Sequence, residues 1–397
     1  MSWLGHKPPF YYVSSGISII AVPSPGVTME LVQVTEGGTE LFVPFQDPGS
    51  AFPPGSSPVF FNPRMALSRD ATSLLLRGLD AESYLDAMGA TGARGIRIAR
   101  ECGVPVTIND RDPLAVGVIR KNAAHAGVAV EVTQSDVNVL LSSRRFDCVD
   151  LDPFGTPAPF LDAAARSAKR FLFVTATDTA PLCGAHGPAG VRRYFAHPLN
   201  NEYHGETGLR TLLGFVVREL ARYDRGLEPL LCFTREHAVR LHLRVRPGAK
   251  AADRTLGRVG YILQCGRCFY REERPGHLPL CGECPCGGKL IPVGPLWLGG
   301  VNDPATLAGM LDRLPLVPLA GGEQLYRLLT LLQEELPTSS HYDCHRMARA
   351  LRCSPPPMET VLARIREAGY PASRVHYSGT GIKTDAPVEI IGRAITG

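Results

Sequence analysis

The sequence lacks any apolar run of the ~18 residues needed to cross a bilayer, and it shows no signal peptide, internal repeat or low-complexity tract. We therefore expect no membrane association. The 11 cysteines are an odd number and five of them fall between Cys265 and Cys286, which argues against a secreted disulfide framework. Together these absences predict a cytoplasmic protein.

The sequence also lacks a strong excess of either charge. Its formal net charge of +4 and pI of about 8.5 permit an acidic partner such as RNA without establishing one. A length of 397 residues with 44% hydrophobic content predicts two or three domains with packed cores. Residues 1–28 have no clear period, and we interpret them as an N-terminal extension.

Between residues 83 and 177, short apolar strands alternate with helical segments, a pattern that predicts an α/β fold with a parallel sheet. Ligands of such sheets bind beyond the carboxyl ends of the strands. Four successive strands end in a glycine-rich turn (residues 89–95), Asp110, Asp136 and Asp152. We expect these groups to form a site for an adenosine-bearing cofactor beside a reactive carboxylate.

Two simpler interpretations of these residues stay open. The first is that the glycine-rich turn binds no nucleotide, because its Gly-x2-Gly-x2-Gly spacing matches a dinucleotide fingerprint poorly. In addition, either Asp110 or Asp112 could serve only to cap the helix that starts at Pro113.

The fourth strand runs into the segment Asp152-Pro153-Phe154-Gly155. A carboxylate, a proline carbonyl and an aromatic ring at a strand end suit chemistry at the exocyclic amine of a nucleobase. Such a nitrogen is a poor nucleophile, because its lone pair is delocalised into the ring. Two acceptors for its hydrogens would make it more nucleophilic, while the aromatic ring stacks on the base. The alternative is an ordinary turn after a strand.

S-adenosylmethionine fits this order of groups better than a nicotinamide, because nothing in the chain resembles a hydride-transfer dyad. The order of glycine loop, ribose-binding acid, adenine-binding acid and Asp-Pro-aromatic segment is typical of amino-methyltransferases. A pyrimidine-C5 methyltransferase would need a nucleophilic cysteine. The Pro285-Cys286 pair lies within the cysteine cluster, which disfavours covalent catalysis.

Two clustered cysteine pairs predict a zinc ribbon in the second half of the chain. Cys265 and Cys268 form the first pair. Cys281, Cys284 and Cys286 compete for the two remaining ligand positions. Four thiolates would leave no open coordination position, so we expect a structural role.

Towards the C-terminus, three predicted helices and a glycine-tipped hairpin indicate a winged helix. Basic residues that could contact phosphates there are Arg346, Arg349, Arg352, Arg364, Arg366, Arg374 and Lys383. Solvated helix faces would show similar arginines.

Upstream, residues 178–190 are predicted to form a Gly/Pro-rich loop that could close over a base.

Four motifs carry a resemblance to a known family: residues 61–70 (FNPRMALSRD), 90–95 (ATGARG), 150–157 (DLDPFGTP) and 175–184 (TATDTAPLCG). Together they resemble the tRNA guanine-26 N2-dimethyltransferase family, over nearly the whole chain from Met29. The resemblance implies an enzyme that uses S-adenosylmethionine to methylate N2 of guanine 26 in tRNA.

The same resemblance implies roles for individual residues. The cofactor-binding positions of the family correspond to Arg69, Arg94, Asp110, Asp136 and Val137. The catalytic acid corresponds to Asp152, assisted by the carbonyl of Pro153, and the base-stacking ring to Phe154. Ser68 departs from the usual asparagine of the first motif but leaves Arg69 in place.

The expected architecture is therefore a Rossmann-like S-adenosylmethionine-dependent methyltransferase domain followed by a C-terminal α+β domain. We predict the methyltransferase domain over residues 29–228 and a tRNA-binding domain over residues 229–397. Within the second domain, the zinc ribbon is predicted over residues 262–292 and the winged-helix-like end over residues 320–390.

Two other function classes stay open at this point, a DNA amino-methyltransferase and a non-catalytic RNA-binding or chaperone protein. The intact set of Asp110, Asp136 and Asp152 argues against the second. The sequence does not distinguish monomethylation from dimethylation, and it defines neither activity at position 27 nor protein partners nor the oligomeric state.

Overall fold

A computed structural model describes residues 17–20, 29–45, 57–276, 278 and 282–397. Most of the predicted N-terminal extension lies outside the described residues, as does Cys281. None of the helices in the described part is long and apolar enough to span a membrane.

The strands are β1 (Ile17–Ile20), β2 (Met29–Glu36), β3 (Thr39–Pro44), β4 (Tyr84–Asp86), β5 (Val106–Asp110), β6 (Glu131–Gln134), β7 (Phe146–Leu151), β8 (Ala168–Ala176), β9 (Arg225–Arg235), β10 (Ala238–Pro247), β11 (Val259–Cys265), β12 (Arg271–Pro275), β13 (Leu290–Trp297), β14 (Tyr342–Asp343), β15 (Ala372–Arg374) and β16 (Gly381–Thr384).

The helices are α1 (Ala66–Leu76), α2 (Ala93–Cys102), α3 (Pro113–Ala126), α4 (Val137–Ser143), α5 (Leu161–Ser167), α6 (Thr179–Leu182), α7 (Gly187–Tyr194), α8 (His204–Ala221), α9 (Ala249–Leu256), α10 (Pro304–Arg313), α11 (Gly322–Glu334), α12 (Cys344–Ala350), α13 (Met358–Glu367) and α14 (Val388–Thr396). Short 3-10 helices lie at Pro63–Met65, Ala158–Phe160 and Leu314–Leu316.

The first compact unit comprises Met1–Asp152, Ser167–Lys169 and Gly309–Arg327. Its parallel strands lie in the order β6-β5-β4-β7, and every residue of β4 and β7 is buried. Because neighbouring parallel strands point the same way, their carboxyl ends share one edge of the sheet. The alternation of strands and helices expected from the sequence is confirmed here.

A buried charge network connects β2 with helices α1 and α2 in this unit. Arg69 donates to both carboxylate oxygens of Glu36, over 2.6 Å and 2.5 Å. Arg97 donates to Glu36 over 2.8 Å and to Asp70 over 2.7 Å, and it also pairs with Glu101. Burial alone would raise the pKa of Glu36, but the two arginines lower it to about 2.

The second compact unit comprises Pro153–Arg166, Arg170–Ala308 and Leu328–Gly397. In it, β10 pairs antiparallel with both β8 and β9, and β11 pairs antiparallel with β12 and β13. A third sheet has the order β14-β16-β15 and shares a buried core with α12, α13 and α14. Helices packed on a small antiparallel sheet are the arrangement expected of a winged helix.

Lys383, expected as a phosphate contact, is instead buried in the second unit. Its ammonium lies 2.7 Å from Glu206 on α8 and 2.9 Å from Glu335. Glu206 also accepts from Arg210, and its second oxygen lies 2.9 Å from His341 Nδ1. The expectation for Lys383 is therefore wrong, because two carboxylates already use its charge away from solvent.

The segment expected as a Gly/Pro-rich loop contains two helices, α6 and α7. Helix α7 forms despite its glycines because Tyr194 at its end is fully buried and Pro188 occupies its first turn, where a missing N–H is tolerated. The predicted domain boundary near residue 228 stays a prediction.

We expect the change Glu36→Gln to lower the free energy of unfolding by about 3–5 kcal/mol, because it removes the charge that pairs two buried arginines. A carboxylate with a lowered pKa contributes stability above its unfolded value of 4.5 and loses it as the pH falls towards 2. The stability difference between wild type and variant should therefore shrink between those pH values. Denaturant unfolding over this pH range measures it.

The exposed Glu40→Gln change, on the neighbouring strand β3, is the matched control and should alter stability little. An equal, pH-independent loss in both variants would contradict the assigned role of Glu36.

Candidate active site and cysteine cluster

Asp152 directly follows the buried strand β7, and its carboxylate pairs with Arg94 of helix α2. The ion pair joins Nη2 of the arginine to Oδ2 of the aspartate. The Asp152 side chain is 25% exposed, whereas that of Arg94 is 5% exposed. Asp152 is therefore held in place by Arg94, and part of its carboxylate side chain remains accessible to solvent.

The surroundings of Arg94 are strongly acidic. Its Nε lies 3.9 Å from Asp150, which also accepts a 2.5 Å hydrogen bond from the Tyr84 hydroxyl. Asp86 accepts from the backbone N–H of Gly95 over 2.9 Å. Burial raises the pKa of Asp86 to about 7, against the opposing effect of Arg94. Burial would lower the pKa of Arg94, but Asp152 and Asp150 raise it above its usual value.

The glycine-rich turn lies between β4 and α2. Ala90 has φ of +49° and Gly92 of +77°, so the backbone passes through left-handed conformations before the helix begins. A Cβ on Gly92 would lie 3.0 Å from the side chain of Ile96, a tight contact that favours glycine. The turn brings the start of α2 to the carboxyl end of β4, the edge at which ligands of such sheets bind.

Asp110 and Asp112 have separate roles at the end of β5. Asp112 caps α3, because its Oδ1 accepts from the Leu114 N–H over 2.9 Å. Asp110 accepts from the N–H of Ala90 in the glycine turn over 2.9 Å and from the N–H of Asp112 over 2.9 Å. The helix-capping alternative therefore applies to Asp112. Asp110 is hydrogen-bonded to the glycine turn, where its carboxylate could accept a hydrogen bond from a ribose hydroxyl.

The remaining predicted cofactor residues have more local contacts. Asp136 is exposed and caps α4, accepting from the Asn138 and Val139 N–H groups, and Val137 beside it is buried. Arg69 is occupied by Glu36 in the network described above. Arg94, Asp110 and the glycine turn lie near one another at the carboxyl ends of the strands, and the cofactor-binding roles of Arg69, Arg94, Asp110, Asp136 and Val137 all stay predictions.

In the second unit, the segment after Pro153 is fixed by hydrogen bonds. Gly155 has φ of +93°, donates to Thr177 Oγ1 over 2.8 Å and accepts from the Thr177 N–H over 2.9 Å. Phe154, which precedes it, is 80% exposed. A large ring kept in solvent on an anchored turn is suited to stacking on a base.

Four cysteines of the C-terminal half lie together. The sulfurs of Cys265, Cys268, Cys284 and Cys286 are all within 4.8 Å of one another. Two sulfur–sulfur distances are 3.5 Å (Cys265 to Cys286) and 3.6 Å (Cys268 to Cys284), close to the about 3.8 Å expected around a tetrahedral zinc ion. This cluster can hold zinc. Cys281, the third candidate for the second pair, lies outside the described residues.

Backbone hydrogen bonds orient one of these sulfurs. Cys265 Sγ accepts from the N–H groups of Arg267 and Cys268, over 3.3 Å and 3.4 Å. Burial raises the pKa of this thiol, but these bonds lower it to about 6. A thiolate is the form that binds metal.

Sequence reasoning missed the buried partners of the site, Tyr84, Asp86 and Asp150. Asp86 and Asp150 lie at or next to the carboxyl ends of the observed strands β4 and β7, and an acid within an apolar run was a usable signal. The Tyr84 hydroxyl gave no such signal, because an aromatic residue in a buried strand is typical of a core position.

The comparisons with known proteins agree with this geometry. A family model described as N2,N2-dimethylguanosine tRNA methyltransferase matches residues 45–396. A tRNA (guanine(26)-N(2))-dimethyltransferase of Methanoculleus marisnigri is 60% identical over 370 residues, covering 93% of this chain and 100% of the relative. A protein of the same name from Methanosphaerula palustris is 58% identical over 369 residues, with coverage of 93% and 100%.

A solved structure is similar over most of the chain. The complex of Trm1 from Pyrococcus horikoshii with S-adenosyl-L-methionine matches with a TM-score of 0.83 and 36% identity, covering 92% of this chain and 100% of that one. The match confirms the predicted Rossmann-like methyltransferase fold class.

We expect the purified protein to contain about one zinc ion per chain, and the change Cys268→Ser to remove it, because three thiolates bind zinc more weakly than four. Elemental analysis and thermal unfolding with and without chelator measure the effect. Cys353→Ser, a half-buried cysteine outside the cluster, is the control. Equal zinc content in both variants would show that the cluster is not the zinc site.

Proposed function

Because the chain belongs to the N2,N2-dimethylguanosine tRNA methyltransferase family, we propose that it transfers methyl groups from S-adenosyl-L-methionine to the exocyclic N2 of guanine 26 in tRNA. The products are N2-methylguanosine and then N2,N2-dimethylguanosine. The observation that supports this most is the Asp152 carboxylate at the end of β7, paired with Arg94 on one side and partly open to solvent on the other.

Asp152 and Pro153 act on the target amine. The ion pair with Arg94 engages Oδ2 of Asp152, so Oδ1 can accept a hydrogen from N2. The carbonyl of Pro153 accepts the second hydrogen. With both hydrogens held, the nitrogen lone pair is turned out of conjugation and towards the methyl donor.

Phe154 receives the base. Guanine 26 has to leave the stack of the tRNA before its amine can reach a carboxylate at a strand end, and the exposed ring of Phe154 supplies a stacking surface that compensates in part. The hydrogen bonds between Gly155 and Thr177 fix the turn that carries this ring.

The proton lost from N2 passes to Asp152 or to water after methyl transfer. The N-methylated intermediate is positively charged, so it gives up this proton readily. The monomethylated amine retains one hydrogen for Asp152 to accept, which permits a second methyl transfer after exchange of the cofactor.

S-adenosylmethionine, when bound, supplies an electrophilic methyl group on a sulfonium. Arg94, Asp110 and the glycine turn would hold it at the sheet edge, where Asp110 would accept hydrogen bonds from the ribose hydroxyls. Arg69, Asp136 and Val137 complete the proposed set, with Asp136 accepting from the adenine amine. The acidic surroundings of Arg94 also suit a cofactor that carries positive charge.

We further propose that zinc bound by the four clustered cysteines has a structural role, because four thiolates complete its coordination. We propose a cytoplasmic location as well. None of the described cysteines is in a disulfide, which suits a reducing compartment.

The direct test of the function is incubation with labelled S-adenosylmethionine and an unmodified tRNA, followed by nucleoside mass spectrometry. N2-methylated and N2,N2-dimethylated guanosine should form with G26 and disappear in an A26 variant. Label that persists in the A26 tRNA, or appears only in DNA substrates, would refute the assignment.

Asp152→Asn should reduce methyl transfer at saturating substrates by about 10²–10⁴-fold, the usual contribution of a positioned acid or base. Affinity for the cofactor, measured by calorimetry, should change little because the glycine turn and Asp110 remain and Asp150 still pairs with Arg94. Turnover near that of the wild type would show that another group accepts the N2 hydrogens.

Asp110→Ala should instead change the affinity for the cofactor more than the rate at saturating substrates. It should weaken binding of S-adenosylmethionine about tenfold or more, through loss of charged hydrogen bonds to the ribose, while saturating cofactor restores most of the rate. The control is Asp112→Ala, which removes only a helix cap. Unchanged cofactor affinity in the Asp110 variant would refute the ribose role.

A further inference from the structure

Helix α7 and the residue that follows it form an exposed face in the second unit. Arg192 and Arg193 on the helix are exposed, and Phe195 directly after it is 64% exposed. Arginine side chains beside an exposed aromatic ring are the composition of a nucleic-acid contact, where cations meet phosphates and the ring stacks on a base. We call Arg192, Arg193 and Phe195 the α7 face.

The backbone presents Phe195 to solvent at a cost. The residue has φ of +49°, a left-handed conformation that is rare for an aromatic residue. Arg218 of α8 holds this turn in place by donating to the carbonyls of Tyr194 and Phe195, over 2.6 Å and 3.3 Å. The Phe195 ring centroid is 6.3 Å from that of Phe215, which leaves most of the ring open.

The α7 face is connected to the turn that carries Phe154. The Tyr194 hydroxyl donates to Asp178 over 2.6 Å and lies 2.7 Å from the Thr156 hydroxyl. Because the tyrosine proton goes to Asp178, Thr156 donates to the tyrosine oxygen. Arg193 also reaches Asp178, over 3.1 Å. Thr156 is two residues after Phe154 and Tyr194 is next to Phe195, so the hydrogen bond between Thr156 and Tyr194 connects the segments that carry the two exposed rings.

We propose that the α7 face is a second contact surface for tRNA, on which Phe195 stacks on a nucleobase near the target guanosine while Arg192 and Arg193 contact phosphates. This inference rests on the proposed function, because it takes the tRNA substrate as its occupant. Charge complementarity supports that occupant: two exposed arginines and an exposed ring lie on either side of the buried Tyr194, and a polyanion with exposed bases matches both the charge and the ring.

The test uses the variant Phe195→Asn in the full chain. Asparagine tolerates the left-handed backbone, so the variant removes the ring without straining the turn. The dissociation constant for tRNA should rise about tenfold, as expected for one lost base–aromatic stack, with cofactor affinity unchanged. Phe195→Tyr, which keeps a ring, should bind within about twofold of the wild type.

Arg192→Gln provides an independent measurement. The plot of log affinity against log salt concentration should lose about one unit of slope, because one phosphate contact is removed, and Arg192→Lys should restore it. A purely structural role for the helix would leave this slope unchanged.

Unaltered tRNA affinity in Phe195→Asn together with an unaltered salt slope in Arg192→Gln would overturn the inference. That result, with wild-type methylation of G26 intact, would leave the proposed function standing. If instead the wild type fails to methylate G26, tRNA binding by the same variants still decides whether the α7 face contacts RNA.

Discussion

The ion pair between Arg94 and Asp152 is the interaction on which the proposed active site depends. A guanidinium buried this deeply is stable only with carboxylate partners, and Asp152 and Asp150 provide them from the end of one strand. The pair gives the proposed catalytic carboxylate a defined position at the sheet edge. Burial raises the pKa of Asp86 to about 7, and the negative charge of Asp150 and Asp152 adds to this effect while Arg94 opposes it.

The second unit also contains buried charges, and these are paired with one another inside the unit. Glu206 is surrounded by Lys383, Arg210 and His341, which hold its pKa well below the usual value despite burial. This network ties α8 to β16 in the C-terminal part of the chain. Removing one member would leave an unpaired charge in a dry interior, so the network specifies one arrangement of these elements.

Much of the secondary structure was predictable from the sequence, because the spacing of apolar residues and the positions of Gly, Pro and capping residues determine local structure. The end of strand β7 before Asp152 and the start of helix α3 at Pro113 were predicted, since the strand is mostly apolar and the helix begins with Asp-Pro. The motif at residues 150–157 located Asp152, and the end of the second predicted strand located Asp110. Side-chain pairings were not predictable. The sequence suggested that Lys383 was a surface cation, whereas in the fold it pairs with two carboxylates from distant segments of the chain. Helices α6 and α7 were missed because Gly and Pro obscure a helix whose stability comes from burying Tyr194.

The central claim is that Asp152 accepts hydrogens from N2 of guanine 26. A cycle of four tRNA affinities tests it most directly, combining wild type and Asp152→Ala with tRNAs that carry guanosine or inosine at position 26. Inosine lacks the exocyclic amine, so in the wild type it should weaken binding by about 1.5–3 kcal/mol, the contribution of a hydrogen bond to a charged group. The account predicts that in Asp152→Ala this penalty falls to the smaller contribution of the Pro153 carbonyl, about 0.5–1.5 kcal/mol. An equal penalty in both proteins would contradict it, because the amine would then be recognised by another group.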